Sequence, residues 1–229
     1  NDKQIVPKKI HQIWIGGEVP KKYDQWRSSW KVHNPDFEYY LWNEKSILEL
    51  GLVNEKQFMK AKNPAIKSDI ARYEILHRFG GVYADTDFES LEKLDARFLT
   101  HSFVAGQVFS YAPQVNNALM ISAPKSKVLE IAINNLGEFT GELSPMETLS
   151  YCGAIYLSQA IRNNRNLLGD IAIMPSQYFY PWPNFMIHND SNRYSWITDK
   201  SKAIHHWEVS WIKSSIVSRV LTRLRGFVI

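Results

Sequence analysis

Apolar and polar positions in the first half of the chain predict strands that alternate with helices. Residues 9–15 predict a buried strand that ends at Gly16-Gly17, and residues 37–42 predict a second strand. A helix is predicted to begin at Pro20, because three aromatic residues follow it at the spacing of one helical face: Tyr23, Trp26 and Trp30. Shorter helices are predicted over residues 45–50 and 55–62.

A helix with clearer boundaries follows at residues 64–79. Pro64 suits its first turn, and Gly80-Gly81 suits its end, because the second glycine can adopt the left-handed backbone of a helix cap. Residues 82–84 then predict a short apolar strand that runs directly into Asp85-Thr86-Asp87. One compact unit therefore links a helix, a strand and two carboxylates.

The second half of the chain continues the alternation without an internal repeat or a low-complexity linker. Strands are predicted at residues 102–105, 118–122, 171–174 and 203–207. Helices are predicted at residues 126–136, at 145–162 and from 212 onwards. Alternating strands and helices predict an α/β fold with a mainly parallel sheet flanked by helices.

The composition is that of an ordinary globular protein, with 45% hydrophobic and 22% charged residues. These values argue against a disordered or collagen-like chain, and no apolar run reaches the roughly 18 residues of a membrane-spanning helix. The first residues lack the apolar stretch of a secretory signal, although cleavage could have removed one. The single cysteine, Cys152, excludes an internal disulfide and a cysteine-rich zinc site. We therefore expect a cytoplasmic protein.

Positive charge is concentrated at one end of the chain. The formal net charge is +4, and residues 213–229 contain four basic residues and no acidic residue. The remainder is balanced, which argues against a nucleic-acid-binding surface. Residues 212–229 also predict a basic amphipathic helix, which either lies peripherally on the inner face of an anionic membrane or packs on the domain.

Asp85 and Asp87 are the strongest candidates for chemistry. In an extended chain, residues two apart point to the same side and lie roughly 7 Å apart. Two such carboxylates repel each other unless a cation lies near both, and Mg²⁺ or Mn²⁺ with oxygen ligands would meet this need. Ligands of open α/β sheets also bind beyond the carboxyl ends of strands. The alternative is a pair of solvated acids in a turn.

Asp69 and Arg72 lie on one face of the helix over residues 64–79, because they are three positions apart. They form either a surface ion pair or a charged pair that binds sugar hydroxyls. Trp14 ends the first strand, and its ring either packs in the core or stacks on a nucleobase.

His205 and His206 are adjacent in the last predicted strand and should face opposite ways. Only one of them can therefore reach the side of the sheet that carries Asp87. A neutral imidazole can complete a Mn²⁺ coordination sphere, although a histidine in a strand can also be a simple core group.

Five segments, taken in order, resemble the DXD-type sugar transferases, which group the fungal outer-chain α-mannosyltransferases with many bacterial capsule and lipopolysaccharide enzymes. The same segments are distantly similar to the catalytic domains of the large glucosylating bacterial toxins. They are residues 10–17, 68–73, 80–87, 178–181 and 205–211. The chain departs from these relatives at Cys152-Gly153-Ala154, where Thr-Gly-Pro is common, and the difference concerns the expected acceptor side.

The resemblance implies a GT-A fold with a Rossmann-like sheet in one domain over residues 1–211. The nucleotide-sugar half would cover about residues 1–110 and the acceptor half about 111–211. The implied reaction is metal-dependent, retaining transfer of a hexose from a nucleotide sugar to a saccharide or lipid-linked acceptor in surface polysaccharide synthesis. UDP-sugars are favoured over GDP-mannose as donors, and Mn²⁺ or Mg²⁺ is the expected cofactor.

The resemblance also implies roles for individual residues. Asp69 and Arg72 would hold the donor sugar as part of a catalytic group with Asp85 and Asp87. Asp85 would contact the donor or reach the metal through water, and Asp87 would ligate the metal directly. His205 matches the late metal ligand of the family, with His206 as the alternative. The expected donor-binding residues are Trp14, Ile13, Gly16, Ser68, Tyr83, Ser210 and Trp211.

Two other functions stay open on the sequence. An aspartate-based phosphatase also has Asp-x-Asp after an apolar strand, although Phe88-Glu89 does not match the residues that usually follow. A carbohydrate-binding module could use some of the eight Trp residues as stacking platforms. For sugar transfer itself, no carboxylate stands out as a nucleophile, so front-face attack is the hypothesis and a covalent intermediate the alternative.

Overall fold

A computed structural model describes residues 3–109, 112–139, 141–167, 169–187 and 190–208. Its strands are β1 (Lys9–Ile13), β2 (Glu38–Trp42), β3 (Gly81–Ala84), β4 (Phe88–Ser90), β5 (Phe103–Phe109), β6 (Ala112–Ser122), β7 (Ile171–Met174) and β8 (Ala203–His205). Its α-helices are α1 (Asp24–His33), α2 (Glu44–Leu50), α3 (Glu55–Lys60), α4 (Pro64–Phe79), α5 (Lys127–Asn134), α6 (Pro145–Tyr151), α7 (Ala154–Asn163) and α8 (Ser176–Phe179). Short 3₁₀ helices cover Lys21–Tyr23, Ala96–Leu99, Arg165–Leu167, Asn184–Met186 and Asp190–Trp196.

Six strands form the central sheet in the order β2-β1-β3-β6-β5-β7. β1 pairs in parallel with β2 and β3, and β5 pairs in parallel with β7. β6 runs antiparallel between β3 and β5, so the other five strands of this sheet share one direction. The predicted α/β fold with a mainly parallel sheet is confirmed.

Hydrophobic clusters cover both faces of the central sheet. On one face, Tyr83 and Met120 pack against α4, α5 and α7. On the other face, Val82 and Ile121 pack in a cluster that includes Trp30 of α1. Successive strand residues thus point to opposite cores, as the pleat requires.

The structure confirms the predicted boundaries of α4 and shows what sets them. The Asn63 side chain accepts a hydrogen bond from the Ala65 amide at the start of the helix. At its end, Gly80 has a φ of 62°, and a Cβ there would lie 2.6 Å from Cδ of Pro124. Glycine is therefore required both by the backbone conformation and by the close approach of a neighbouring segment.

His11, the middle residue of β1, connects this strand to β2 and to the end of α4. Its Nε2 lies 3.0 Å from the Gly80 carbonyl, and its Nδ1 accepts a hydrogen bond from Nε1 of Trp42 at 3.1 Å. Both contacts require the neutral tautomer with the proton on Nε2. Burial accordingly lowers the pKa of His11 to about 4, although the Gly80 carbonyl works in the opposite direction.

The single helix predicted over residues 145–162 is wrong, because the chain breaks there into α6 and α7. Cys152 and Gly153 leave the helical conformation between them, with Gly153 at φ −90° and ψ −151°. A Cβ on Gly153 would lie 2.9 Å from Cα of Leu149, so the two helices meet at a backbone contact. The hydroxyl of Tyr73 on α4 donates to the freed Cys152 carbonyl at 2.7 Å.

The last predicted strand ends at His205 rather than residue 207, and it pairs with a strand that was not predicted. β4 and β8 form an antiparallel two-stranded ribbon outside the central sheet, with Phe88 opposite His205. The predicted terminal helix, residues 212–229, lies outside the described residues. Among the residues that are described, every helix is too short or too polar to span a bilayer.

Candidate active site

Asp85-Thr86-Asp87 forms a tight turn between β3 and β4 at the carboxyl end of β3. The Phe88 amide donates to the Asp85 carbonyl at 3.0 Å, and the Asp85 amide donates to the Ala118 carbonyl of β6 at 2.9 Å. The extended conformation expected for this segment is therefore wrong. The two carboxylates converge because the chain reverses here, and not because they alternate along a strand.

Arg72 is the central positive charge of the site. Its guanidinium lies 3.1 Å from a carboxylate oxygen of Asp69 on its own helix, and 3.1 Å from one of Asp85 on the turn. The Tyr83 hydroxyl donates to the same Asp85 oxygen at 2.6 Å, and the guanidinium lies 4.6 Å from the centre of the Tyr83 ring. Arg72 thus contacts three other residues predicted for the site.

The charges of this group shift one another's ionisation. Burial raises the pKa of Asp69 to about 6, although the neighbouring Arg72 opposes that effect. Burial also raises the pKa of Asp85, again against the charge of Arg72. Burial disfavours the charged form of Arg72, but Asp85, Tyr83 and Asp69 raise its pKa above the usual range. Arg72 is therefore always charged, and it favours ionisation of both carboxylates.

Asn117 on β6 holds Asp69 and Arg72 in place, and the sequence analysis did not identify it. Its side-chain amide donates to Asp69 at 2.8 Å and to the Tyr73 hydroxyl at 3.1 Å. Its carbonyl accepts a hydrogen bond from Nη1 of Arg72 at 3.0 Å. The signal was the polar pair Asn116-Asn117 directly before the predicted strand 118–122, which the structure extends back to Ala112.

Gln12 on β1 supports the turn from the other side and was also missed. Its side-chain amide donates to the Asp85 carbonyl at 3.0 Å, while its side-chain oxygen accepts a hydrogen bond from the Tyr39 hydroxyl. Gln12 is fully buried, so these partners account for a polar group inside a buried strand.

Two residues near the end of the described segment 190–208 hold Asp87 in place. Nε2 of His205 lies 3.2 Å from one of its carboxylate oxygens, and the Glu208 amide donates to the other at 2.8 Å. Burial would raise the pKa of Asp87, but His205 and the Glu208 amide lower it below its ordinary value. The acid is thus stabilised as a carboxylate.

The two adjacent histidines point to opposite faces of the ribbon, as expected. His205 stacks on Phe88 with ring centres 4.5 Å apart, and its Nδ1 is buried with no hydrogen-bond partner among the described residues. His206 instead lies 2.9 Å from Glu89 and stacks on Trp26 at 4.1 Å. His205 is therefore the histidine that reaches the aspartates.

Trp207 directs the backbone that follows His205. Its φ of 54° is unusual for a residue with a side chain, and its indole N–H donates to the Trp182 carbonyl at 2.9 Å. The Glu208 side chain then forms an ion pair with Lys22. The left-handed turn thereby orients the Glu208 amide towards Asp87.

Asp85, Asp87 and His205 together form a group that could hold a metal ion. One ligand atom from each residue lies within 4.8 Å of the other two. Two carboxylate oxygens and an imidazole nitrogen fit Mn²⁺ or Mg²⁺, with remaining positions for oxygens of a ligand. Among the described residues, stacking on Phe88 and not a hydrogen bond to Nδ1 fixes the plane of the His205 ring.

The other predicted donor residues lie on neighbouring elements. Ile13 ends β1 in the core, whereas Trp14 is half-buried with its ring centre 5.1 Å from that of Tyr23. Gly16 has a φ of 105° and open space around it. The Ser68 carbonyl accepts a hydrogen bond from Nε of Arg72 at 3.3 Å. Ser210 and Trp211 lie outside the described residues.

Comparison with known sequences shows which family part of this chain matches. Residues 20–104 match the family described as "Glycosyltransferase sugar-binding region containing DXD motif". Inositol phosphoceramide mannosyltransferase 1 of Schizosaccharomyces pombe is 26% identical over 221 residues, covering 87% of this chain and 68% of that protein. Inositol phosphoceramide mannosyltransferase 3 of the same organism is 32% identical over 99 residues, covering 42% of this chain but only 28% of that protein.

Comparison with solved structures confirms the expected GT-A fold. The catalytic domain of alpha-toxin from Clostridium novyi superposes with a TM-score of 0.54 at 12% identity, covering 96% of this chain and 82% of that domain. The UDP-bound glycosyltransferase domain of the YGT toxin superposes with a TM-score of 0.50 at 12% identity, covering 75% of this chain and 80% of that domain. The distant similarity to toxin catalytic domains is therefore confirmed at the level of the fold.

Proposed function

We propose that this chain, a DXD-motif glycosyltransferase by its residues 20–104, transfers a hexose from a nucleotide-sugar donor to a hydroxyl group of a saccharide or lipid-linked acceptor. One observation carries the proposal. Asp85, Asp87 and His205 converge beside the buried Arg72 at the carboxyl end of β3, where ligands of such sheets bind.

In this proposal, the charged pairs around Arg72 bind and orient the donor sugar. Asp85 is the more accessible partner, with its side chain 26% exposed against 10% for Asp69. Asp85 therefore accepts hydrogen bonds from the donor, while Asp69 orients the guanidinium. Because Asn117 and Gln12 hold these groups in position, little reorganisation is needed when the donor binds.

The second requirement is to stabilise the nucleoside diphosphate as it departs. A divalent cation held by Asp87, Asp85 and His205 would neutralise the negative charge of this leaving group. Asp87 is kept ionised for that purpose by the Glu208 amide and by His205. Front-face attack by the acceptor hydroxyl, with retention, remains our hypothesis for the transfer step.

UDP is the favoured nucleotide, since a protein with the same fold has been described with UDP bound. The fungal relatives are named for mannose, so GDP-mannose belongs in the same test. Trp14 is the proposed stacking partner for the base, because it is half-buried at the end of the strand beside β3.

The test is a screen of UDP- and GDP-sugars for donor hydrolysis, with Mn²⁺, with Mg²⁺ and with a chelator. We expect metal-stimulated hydrolysis of at least one donor, and a loss of about 100-fold or more in Asp87→Asn. Asp36→Asn is the matched control, because it removes a surface carboxylate that pairs with Lys8 and Lys93. Hydrolysis of the donor by Asp87→Asn at the wild-type rate would refute the proposal. Release of phosphate from a generic phosphoester, without hydrolysis of any nucleotide sugar, would also refute it.

A further inference from the structure

A separate cavity of about 640 Å³, here called the edge pocket, lies between α7 and the strands β5, β6 and β7. Its volume is in the range of small-molecule binding sites. Aliphatic side chains form its floor: Val115, Ile155, Ile161, Ile171 and Ile173. None of its described lining residues is aromatic, so the edge pocket offers no surface for stacking a nucleobase or a sugar ring.

Two arginines give the rim of the edge pocket its charge. Arg162 and Arg165 are exposed, and the described lining residues include no acid. Within the described chain, neither guanidinium has an ion-pair or hydrogen-bond partner. Three glutamines of the rim add neutral hydrogen-bonding groups: Gln107, Gln114 and Gln159. The edge pocket therefore combines an apolar floor with two cations that no described side chain neutralises.

The edge pocket is connected to the active site through two elements. α7 begins directly after Cys152-Gly153, and the Cys152 sulfur lies 3.5 Å from a carboxylate oxygen of Asp69. Arg162 follows at the other end of this helix, roughly 12 Å from its start at 1.5 Å per residue. Val115 lies on β6, two positions before Asn117, and its backbone exchanges hydrogen bonds with the Ser158 side chain of α7. α7 and β6 therefore link the edge pocket to the elements that support Asp69 and Arg72.

We propose that the edge pocket binds the phosphate-bearing, apolar end of a lipid-linked acceptor. Arg162 and Arg165 bind the phosphate, and the aliphatic floor binds the first carbons of the hydrocarbon chain. A neutral saccharide would leave both guanidiniums unused, whereas a free phosphate would leave the floor empty. The inference rests on the proposed function and specifies the class of its acceptor.

Direct binding tests the edge pocket without requiring turnover. The probe is dodecyl phosphate below its micelle concentration, titrated by calorimetry into the full chain, with inorganic phosphate and dodecyl maltoside in parallel titrations. We expect the wild type to bind dodecyl phosphate most tightly, and Arg162→Gln/Arg165→Gln to bind it about tenfold more weakly or worse. Lys45→Gln/Lys62→Gln removes the same charge from exposed positions elsewhere and should bind like the wild type.

Several results would overturn the inference. Equal weakening in both double variants would show a general charge effect, and equal binding of dodecyl maltoside would show that the arginines select nothing. Binding to mixed phosphatidylglycerol and phosphatidylcholine vesicles that depends on Arg162 and Arg165, without binding of dodecyl phosphate, would make this rim a membrane contact. If the wild type forms a dimer in solution and Arg162→Gln/Arg165→Gln is a monomer, the edge pocket is instead an interface with a second copy of the chain. Donor hydrolysis by the wild type tests the proposed function separately, so the two failures are distinguishable.

Discussion

One guanidinium allows two carboxylates to remain charged in the same buried site. Arg72 lies 3.1 Å from both Asp69 and Asp85, and its own position is fixed by the Asn117 carbonyl. Because all three side chains are held by other elements, their geometry exists before a donor arrives. Small changes in a supporting residue should therefore affect activity as strongly as changes in the charges.

Asn117→Asp tests this support. The new carboxylate would replace an amide that donates to Asp69 at 2.8 Å, so it would repel that acid and withdraw a hydrogen bond. We expect kcat/KM for donor hydrolysis to fall by about 10- to 100-fold, with the loss mainly in KM for the donor. Steady-state kinetics on the best donor measures the effect.

Asn164→Asp is the matched control for Asn117→Asp. The Asn164 side-chain amide donates to the Ala160 carbonyl at the end of α7, away from the aspartates. Its kinetics should match those of the wild type. Equal kinetics in both variants would show that Asn117 is dispensable for the site.

At this scale, the sequence reveals the residues whose chemistry is visible without partners. Asp85, Asp87 and Arg72 stand out because acids and a guanidinium in a compact apolar unit need an explanation. Gln12 and Asn117 do not stand out, because an amide in a strand acquires a role only through the atoms opposite it. The polar character of these two residues becomes meaningful only once the atoms that their side chains contact are known.

At the scale of elements, helix boundaries set by local residues can be predicted from the sequence, and those set by distant contacts cannot. Pro64 and Gly80 are local signals, and α4 starts and ends where they predict. The break between α6 and α7 depends on a contact between Gly153 and the backbone at Leu149, which no local pattern reveals. The three-residue strand β4 was missed because it is too short for alternation to appear, and its partner begins 113 residues later.

Gly153→Ala tests the contact between α6 and α7. An added Cβ would lie 2.9 Å from Cα of Leu149, so the backbone must shift, and we expect a loss of about 1–3 kcal/mol in the free energy of unfolding. Gly137→Ala is the control, because a Cβ there meets nothing within 4 Å and should change stability by less than about 0.5 kcal/mol. Urea denaturation of both variants measures the difference, and equal stabilities would contradict the account.

His11 predicts how the stability of the sheet depends on pH. Its pKa is about 4 in the folded protein and 6.5 as an ordinary histidine, so the unfolded chain binds more protons between these values. The contribution of His11 to the free energy of unfolding is therefore fully present above pH 6.5 and decreases as the pH falls towards 4. The effect of this one residue is at most about 3 kcal/mol.

The measurement is urea unfolding of the wild type and of His11→Gln across that pH range. Removing the imidazole should make the decline in stability between pH 6.5 and pH 4 shallower, even if the variant is less stable at neutral pH. An unchanged slope would show that other groups dominate the acid sensitivity.

For the molecule as a whole, the proposed cation would join segments that are far apart in sequence. Asp87 and His205 are separated by 118 positions, so a bound ion stabilises the folded state and not the unfolded chain. At about 100 times its dissociation constant, Mn²⁺ should add roughly 2.7 kcal/mol and raise Tm by a few degrees. Calorimetry with and without Mn²⁺ should show this increase in the wild type and in Asp36→Asn, but not in Asp87→Asn. An increase that persists in Asp87→Asn would place the ion elsewhere.

The pairing of β4 with β8 has a consequence for the order in which the protein matures. A ribosome-bound chain that has emerged as far as β7 already contains every strand of the central sheet, but it lacks His205 and the Glu208 amide. Asp87 has neither of these partners until residues 203–208 arrive, and the core on the Val82 side of the sheet is also incomplete until then, because Ala203, Ile204 and Trp207 belong to it. The proposed centre is therefore completed only when residues 203–208 have been made, and a product truncated before residue 203 would lack both partners of Asp87 together with part of one core.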